Sequence, residues 1–139
     1  MVKILFETDL CLGCKSCELA CAAAHSKTKS IAGAIKEREI SRLRIKTKRG
    51  KMKLEQCMLC KNPRCIAACP TGALSKDEES GIIHVNEMSC TGCGLCQKAC
   101  PFDAIELQTF PTICDRCAQS EEPLCVLSCP TRALKVKIV

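Results

Sequence analysis

Short groups of apolar residues separated by polar turns predict a chain of brief strands and helices. Lys3 to Phe6 is rich in apolar residues and is followed by Thr8-Asp9, a typical turn, which predicts a first strand. Residues 82–85 and 135–139 predict two more strands. The alanine-rich run from Cys17 to His25 favours a helix. Together these segments predict an α+β fold built from short elements.

The segment 30–54 has the clearest periodicity. Ser30 to Glu39 predicts a helix that Ser30 caps and that has its apolar residues on one face. Ser41 to Leu54 then alternates basic and apolar residues, with a break at Arg49-Gly50. This pattern predicts a β-hairpin with one apolar face and one strongly basic face.

The basic face of this hairpin has two interpretations. It could dock an acidic partner, or it could be a solvated strand face without a partner, and the sequence favours neither. The candidate docking residues are Arg42, Arg44, Lys46, Lys48, Arg49, Lys51 and Lys53.

Composition makes an ordinary hydrophobic core improbable. The 139 residues include no Trp or Tyr, only three Phe, and sixteen Cys, so the fold needs disulfides or metal. A secreted disulfide scaffold is the alternative to metal, but residues 1–7 lack the apolar region of a signal peptide. No apolar run has the length of a membrane helix. We therefore expect metal-bound cysteines, a reducing cytoplasm and no direct membrane anchor.

All sixteen cysteines fall into four motifs of four. Motif III, Cys90 to Cys100 followed by Pro101, has the C-x₂-C-x₂-C-x₃-C-P spacing typical of a bacterial [4Fe–4S] site. This spacing places a sulfur at every third residue of a tight loop, as three irons of one small cube require. Gly92 and Gly94 are expected to take positive φ in that loop. Zinc is the alternative metal, but zinc sites usually use two separated cysteine pairs.

The other motifs are variants of motif III. Motif I, Cys11 to Cys21, has the same spacing without the proline. Motif II, Cys57 to Cys69, is C-x₂-C-x₄-C-x₃-C-P, and motif IV, Cys114 to Cys129, is C-x₂-C-x₇-C-x₃-C-P. A segment Cys-Pro-x-x-Ala-Leu/Ile also recurs at 69–74, 100–105 and 129–134. Such a repeat predicts repeated cluster-binding units and four [4Fe–4S] clusters.

The last cysteine of a motif normally binds the cluster of a paired motif, so the pairing must be chosen. Twenty residues separate Cys69 from Cys90, as in a two-motif ferredoxin, whereas thirteen and thirty-five residues separate the other neighbouring motifs. Motifs II and III are therefore expected to form an inner pair, and motifs I and IV an outer pair in which the terminal strands pair. Sequential pairing of motif I with motif II is the alternative.

Nested pairing predicts four ligand sets. They are Cys11, Cys14, Cys17 and Cys129; Cys57, Cys60, Cys65 and Cys100; Cys90, Cys93, Cys96 and Cys69; and Cys114, Cys117, Cys125 and Cys21. Residues 1–139 would then form one unit with an inner module at about 55–110, an outer module from about 1–30 and 111–139, and a basic helix and hairpin insertion at 31–54.

The charge excess does not indicate nucleic acid. A cluster with four thiolates carries about −2, so four of them turn the formal charge of +6 into about −2. The chain also lacks the aromatic residues on which bases stack.

The four motifs together resemble the four-cluster electron-transfer subunits of anaerobic oxidoreductases. That family includes the iron–sulfur subunits of carbon monoxide dehydrogenase, formate hydrogenlyase, dimethyl sulfoxide reductase and tungsten aldehyde oxidoreductase. The resemblance implies nested ferredoxin-like modules, the same ligand exchange and a row of four clusters. The stretch from Cys17 to Lys27 is most similar to the small branch with carbon monoxide dehydrogenase and aldehyde oxidoreductase partners. The chain is shorter than the larger members, and we expect it to have no C-terminal extension for a membrane anchor.

The resulting hypothesis is a non-catalytic subunit that relays electrons between a catalytic oxidoreductase subunit and ferredoxin, a hydrogenase or a flavin/NAD subunit. Every motif is complete, and the chain has neither a Ser–His–Asp set nor a phosphate-binding loop. The alternatives are a self-assembling scaffold of a hydrogenase or formate dehydrogenase complex and a free-standing polyferredoxin. We interpret His25 and His84 as polar surface residues; a role for His25 beside a cluster is the alternative.

Overall fold

The computed structural model describes residues 1–139 and contains only short elements. The helices are α1 (Ser16–His25), α2 (Ile31–Glu37), α3 (Arg64–Ala68), α4 (Leu95–Ala99) and α5 (Leu124–Leu127). The strands are β1 (Val2–Phe6), β2 (Leu43–Lys48), β3 (Lys51–Gln56), β4 (Leu74–Lys76), β5 (Ile83–Val85), β6 (Glu106–Leu107), β7 (Pro111–Thr112) and β8 (Leu134–Ile138). None of the helices has the length and apolar character needed to cross a lipid bilayer.

The chain divides into two compact units. The mid-chain unit comprises Met1 and Gln56–Asp115, and the chain-end unit comprises Val2–Glu55 and Arg116–Val139. The basic hairpin up to Glu55 thus belongs to the chain-end unit. The predicted inner module, outer module and insertion stay predictions.

The mid-chain unit contains two small antiparallel hairpins and a helix pair. β4 pairs with β5 from Leu74↔Val85 to Lys76↔Ile83, and β6 pairs with β7. α3 contacts α4. Its core is a cluster of four aliphatic side chains and one thiol, which are Leu74, Ile83, Ile105, Ile113 and Cys96. So few aliphatic residues make a small core, and cysteines contribute directly to it.

The chain-end unit is closed by the two ends of the chain. β1 and β8 pair antiparallel over five residues, from Val2↔Ile138 to Phe6↔Leu134. β2 pairs with β3, and α1 contacts α2, α5 and β2. The core consists of Ile4, Leu43, Ile45, Leu134, Cys17, Cys21 and Cys125. The predicted pairing of the terminal strands is therefore confirmed.

Most predicted elements are present, with small differences at their ends. The hairpin turns at Arg49-Gly50, where φ is +52° and +75°, as a tight two-residue turn requires. Ser30 caps α2 by accepting a hydrogen bond from the Gly33 amide at 3.0 Å. The helix ends two residues earlier than predicted, at Glu37, because Arg38 adopts φ +54°.

The sequence patterns missed α3, α4 and α5. Each has five residues or fewer, which is too short for a helical period to show. β4, β6 and β7 have two or three residues and were missed for the same reason.

Candidate metal centres

Three cavities are each lined by four cysteines from two different motifs. The first has Cys11, Cys14, Cys17 and Cys129 in its wall. The second has Cys57, Cys60, Cys65 and Cys100. The third has Cys69, Cys90, Cys93 and Cys96. In each cavity the fourth cysteine comes from a motif other than the one that supplies the first three.

The remaining four cysteines are divided between the two units. Cys21 and Cys125 are each 4 % exposed in the core of the chain-end unit, to which Cys117 also belongs. Cys114 belongs to the mid-chain unit, where the buried Gln56 side chain donates to its sulfur at 3.5 Å. The fourth ligand set therefore stays a prediction.

The loops between the first two cysteines share one backbone feature. The residue before the second cysteine has positive φ in all four motifs: Gly13, Leu59, Gly92 and Arg116. A Cβ atom at Gly92 would lie 3.1 Å from the Thr109 carbonyl oxygen, so both the positive φ and the limited space favour glycine there. Leu59 and Arg116 adopt the same conformation and are 3 % and 7 % exposed, so burial compensates for backbone strain.

This backbone directs amide groups at the cysteine sulfurs. The Gly13 and Gly92 amides each donate to the sulfur of the cysteine two residues earlier, at 3.4 Å. The Ala73 and Ala133 amides donate to Cys69 and Cys129 at 3.3 Å. Such hydrogen bonds stabilise thiolates and sulfur ligands that carry negative charge.

Hydroxyl groups approach three of the sulfurs. Thr71 Oγ1 lies 3.6 Å from Cys69 Sγ, Thr131 Oγ1 lies 3.7 Å from Cys129 Sγ, and Ser16 Oγ lies 3.4 Å from Cys14 Sγ. None of these three hydroxyls was predicted to belong to the site, although Cys-Pro-Thr occurs at 69–71 and 129–131 within the repeat.

Burial and hydrogen bonding shift the pKa values of the cysteine thiols in opposite directions. Burial raises the pKa of Cys17 and of Cys65 to about 11, and it also raises the pKa of Cys96. The Thr71 hydroxyl and nearby amides lower the pKa of Cys69 to about 7. A metal must therefore displace protons from buried thiols that hold them firmly, which couples loading to pH.

Cys21 has the most elaborate surroundings. The Arg42 amide donates to its sulfur at 3.2 Å, and His25 Nδ1 lies 3.8 Å from that sulfur and 2.7 Å from the Cys21 carbonyl oxygen. Burial alone would raise the pKa of Cys21, but these neighbours outweigh it and the pKa is lowered. His25 is thus a half-buried neighbour of a cysteine, unlike our surface interpretation, whereas His84 is exposed on β5.

The basic face of the hairpin is only partly available for docking. Glu55 is 5 % exposed, and its carboxylate lies 3.4 Å from Arg44 Nε and 3.5 Å from Lys46 Nζ. These two cations are therefore engaged with Glu55 within the unit, although the side chain of Lys46 is still 60 % exposed. The other exposed charges of the hairpin lie at the tip, on Lys48, Arg49 and Lys51.

The residues that line the three cavities fit [4Fe–4S] clusters. Each cavity offers four thiols, and no disulfide joins any of the sixteen cysteines. Amide donors described above line two of the three cavities, Ala73 and Gly92 in one and Ala133 in the other. Four thiolates with N–H donors on their sulfurs are the usual surroundings of such a cluster.

Comparison with known families and proteins agrees with this donor set. A family described as a 4Fe-4S dicluster domain matches residues 48–138, and a second family with the same description matches residues 10–73. The "Electron transport protein HydN" of Escherichia coli strain K12 is 31 % identical, over 94 % of this chain and 85 % of that protein.

Two further relatives are parts of enzymes. The "NADH-dependent phenylglyoxylate dehydrogenase subunit beta" of Aromatoleum evansii is 36 % identical over 95 % of this chain but only 29 % of that subunit. Among solved structures, a chain of the active site complex BamBC of benzoyl coenzyme A reductase, bound to benzoyl-CoA, superposes with a TM-score of 0.54 at 26 % identity. The superposed region covers 99 % of this chain and 79 % of the benzoyl coenzyme A reductase chain.

Proposed function

Because the chain belongs to the 4Fe-4S dicluster domain family, we propose that it is a non-catalytic electron-transfer subunit that holds four [4Fe–4S] clusters. The observation that carries the proposal is the cavity lining: four thiols in each of three cavities, one of them always from another motif. A bound [4Fe–4S] cluster supplies a centre that accepts and returns one electron at a time. The relatives named as electron transport protein and oxidoreductase subunit support the same role.

The cysteines of this chain would bind the clusters in the nested sets given above. The third cysteine, which is buried in motifs I, III and IV and half-buried in motif II, anchors each loop at a core. The last cysteine of each motif joins the loop to its partner motif. Backbone amides and hydroxyls compensate the negative charge that the ligands acquire. Cluster binding therefore contributes to folding, because four thiolates cannot approach one another without a cation between them.

Metal and sulfide analysis tests the number of clusters. Protein purified under strictly anaerobic conditions should contain about sixteen iron and sixteen sulfide per chain. Values near eight would leave two motifs empty, and zinc without sulfide would overturn the assignment.

Single cysteine replacements test the nested sets. Cys100→Ser should perturb the same spectroscopic component as Cys57→Ser and leave the component of Cys90→Ser unchanged, because Cys100 and Cys57 line one cavity. Cys21→Ser should likewise match Cys117→Ser. If Cys21→Ser matched Cys57→Ser instead, the sequential pairing would be correct.

The partner we propose is a catalytic oxidoreductase subunit of the aldehyde oxidoreductase or carbon monoxide dehydrogenase type, with a second redox protein as the other electron donor or acceptor. Anaerobic affinity purification of the chain from its own host should recover such a catalytic subunit in stoichiometric amount. Recovery of the chain alone would support a free-standing polyferredoxin, and recovery of long homopolymers would support a scaffold.

The hairpin tip is the part of the basic surface that we propose for docking the acidic surface of that catalytic subunit. Replacing Lys48, Arg49 and Lys51 by Ser should weaken the complex at low salt and flatten its salt dependence, because exposed charges mainly steer association. The matched control replaces Lys36, Lys135 and Lys137, which removes equal charge elsewhere. If both triple variants weakened the complex equally, the tip would be a solvated loop without a docking role.

A further inference from the structure

The three Cys-Pro segments have the same backbone but differ in one side chain. In residues 69–74, 100–105 and 129–134 the fourth position has positive φ, at +65°, +51° and +56°. The alanine that follows is 2 %, 2 % and 1 % exposed. The third positions are therefore equivalent, and they are Thr71, Phe102 and Thr131.

The two threonines place a hydroxyl beside the ligand sulfur of their own segment. Thr71 Oγ1 is 3.6 Å from Cys69 Sγ, and Thr131 Oγ1 is 3.7 Å from Cys129 Sγ. A metal-bound thiolate has no proton, so the hydroxyl is the donor. Phe102 lies in the wall of the cavity that contains Cys100, and its side chain has no group that can donate to that sulfur.

The two hydroxyls are therefore placed to stabilise negative charge on these sulfurs. A donor that stabilises a thiolate also stabilises the extra negative charge of a reduced cluster, so it favours reduction.

We propose that the Thr71 and Thr131 hydroxyls raise the reduction potentials of the two clusters to which Cys69 and Cys129 contribute, whereas Phe102 leaves the cluster of Cys100 without this contribution. The inference rests on the proposed function. It assigns the chain a built-in difference between clusters, in which a hydroxyl donor helps two sites to hold an added electron and the site of motif II lacks that donor.

Potentiometric titration of the holoprotein tests the proposal, with dithionite as reductant and electron paramagnetic resonance of the reduced clusters as readout. Thr71→Val and Thr131→Val should each lower the reduction potential of one spectroscopic component and leave the potentials of the others unchanged. The expected effect is a fall of about threefold or more in the ratio of reduced to oxidised cluster at a fixed potential, or roughly 30 mV at 59 mV per tenfold change.

Two further variants separate the hydroxyl from packing. Thr71→Ser and Thr131→Ser retain the donor and should titrate like the wild type, although they lose a methyl group. Phe102→Thr introduces the donor and should raise the reduction potential of one component. This component should differ from the two whose potentials the valine variants lower. This variant also keeps the proposal falsifiable if a valine variant fails to load.

Iron and sulfide content distinguishes failure of this inference from failure of the proposed function. Wild-type protein without clusters would refute the proposed function. Fully loaded valine variants with unchanged potentials, or serine variants that shift as much as the valine variants, would overturn the role of the hydroxyls. An unchanged potential in loaded Phe102→Thr would overturn it as well.

Discussion

The mid-chain unit and the chain-end unit use the same kind of cysteine motif but are closed by different parts of the chain. In the mid-chain unit, motifs II and III are separated by twenty residues, and a hairpin of β4 and β5 connects them. In the chain-end unit, β1 must meet β8, and Val2 pairs with Ile138 from the other end of the chain.

This difference has an energetic consequence. Closing a loop of more than a hundred residues costs about 1–2 kcal/mol more in chain entropy than closing a loop of twenty. The chain-end unit offsets the cost with a five-residue strand pair and with the buried Leu43 and Ile45 of the hairpin. Similar local motifs thus need different amounts of supporting structure, depending on how far apart they lie in the sequence.

The largest effect should come from a charge buried in either core. Leu134 and Leu74 occupy the same repeat position and are 2 % and 5 % exposed. Leu134→Asp should abolish clusters held by the chain-end unit, and Leu74→Asp those of the mid-chain unit, since an unpaired buried charge costs several kcal/mol. Iron analysis should find about half of the sixteen predicted atoms in Leu134→Asp. In Leu74→Asp it should find between about a quarter and a half, because Cys114 of the fourth predicted set belongs to the mid-chain unit.

Conservative variants control this comparison. Leu134→Met and Leu74→Met preserve volume and should keep full iron content. Complete loss of iron from both aspartate variants would show that the two units do not fold independently.

A smaller effect is expected from truncation of the hairpin's buried side chain. Leu43 is 1 % exposed, so Leu43→Ala should destabilise the chain-end unit by about 2–5 kcal/mol. The measurement is the denaturant concentration at which the iron–sulfur absorbance is lost, resolved into its components. Ile35→Ala, at a position that is 71 % exposed, should change this midpoint by less than about 0.5 kcal/mol. If Leu43→Ala and Ile35→Ala shifted the midpoint equally, the hairpin would not stabilise the chain-end unit.

The ion pairs of Glu55 give a third test, again confined to the chain-end unit. Glu55→Gln removes the charge that faces Arg44 and Lys46 and should cost about 1–2 kcal/mol, because the carboxylate is buried while Lys46 is largely exposed. The control is Glu7→Gln, whose pair with Lys135 is exposed and should contribute less than about 1 kcal/mol. Anaerobic denaturant titration of both variants provides the measurement, and a neutral Glu55→Gln would contradict the structural role of that carboxylate.

The smallest effect concerns one backbone position that differs between the units. Gly72 and Arg132 are equivalent and have φ of +65° and +56°. Gly72→Ala should cost about 1 kcal/mol from conformation alone, because no atom lies within 4 Å of the added carbon. Arg132→Gly should gain about 0.5 kcal/mol, since relief of strain exceeds the entropy of glycine in the unfolded chain. The same denaturant titration would contradict this account if Gly72→Ala and Arg132→Gly changed the free energy of unfolding in the same direction.

Local features were predictable from the residues themselves. Motif spacing identified all sixteen candidate ligands, Arg49-Gly50 located the hairpin turn, and Ser30 located the start of α2. Features that depend on distant residues were not predictable. The predicted turn at Arg49-Gly50 already brings Glu55 towards Arg44 and Lys46, but no pattern indicates that the Glu55 carboxylate is buried. No pattern near Cys114 indicates that Gln56 donates to its sulfur.

The sequence by itself determined the chemistry of this protein, because spacing between cysteines and the positions of glycine and proline act within a few residues. Tertiary structure decided which cysteine from another motif joins each cavity and which basic residues remain exposed. It also decided which sulfurs receive a donor from a distant segment, as Cys21 does from the Arg42 amide and Cys114 from the Gln56 side chain. The physical reason is that these contacts join separate segments of the chain, where packing and burial select among partners that the local sequence leaves equivalent.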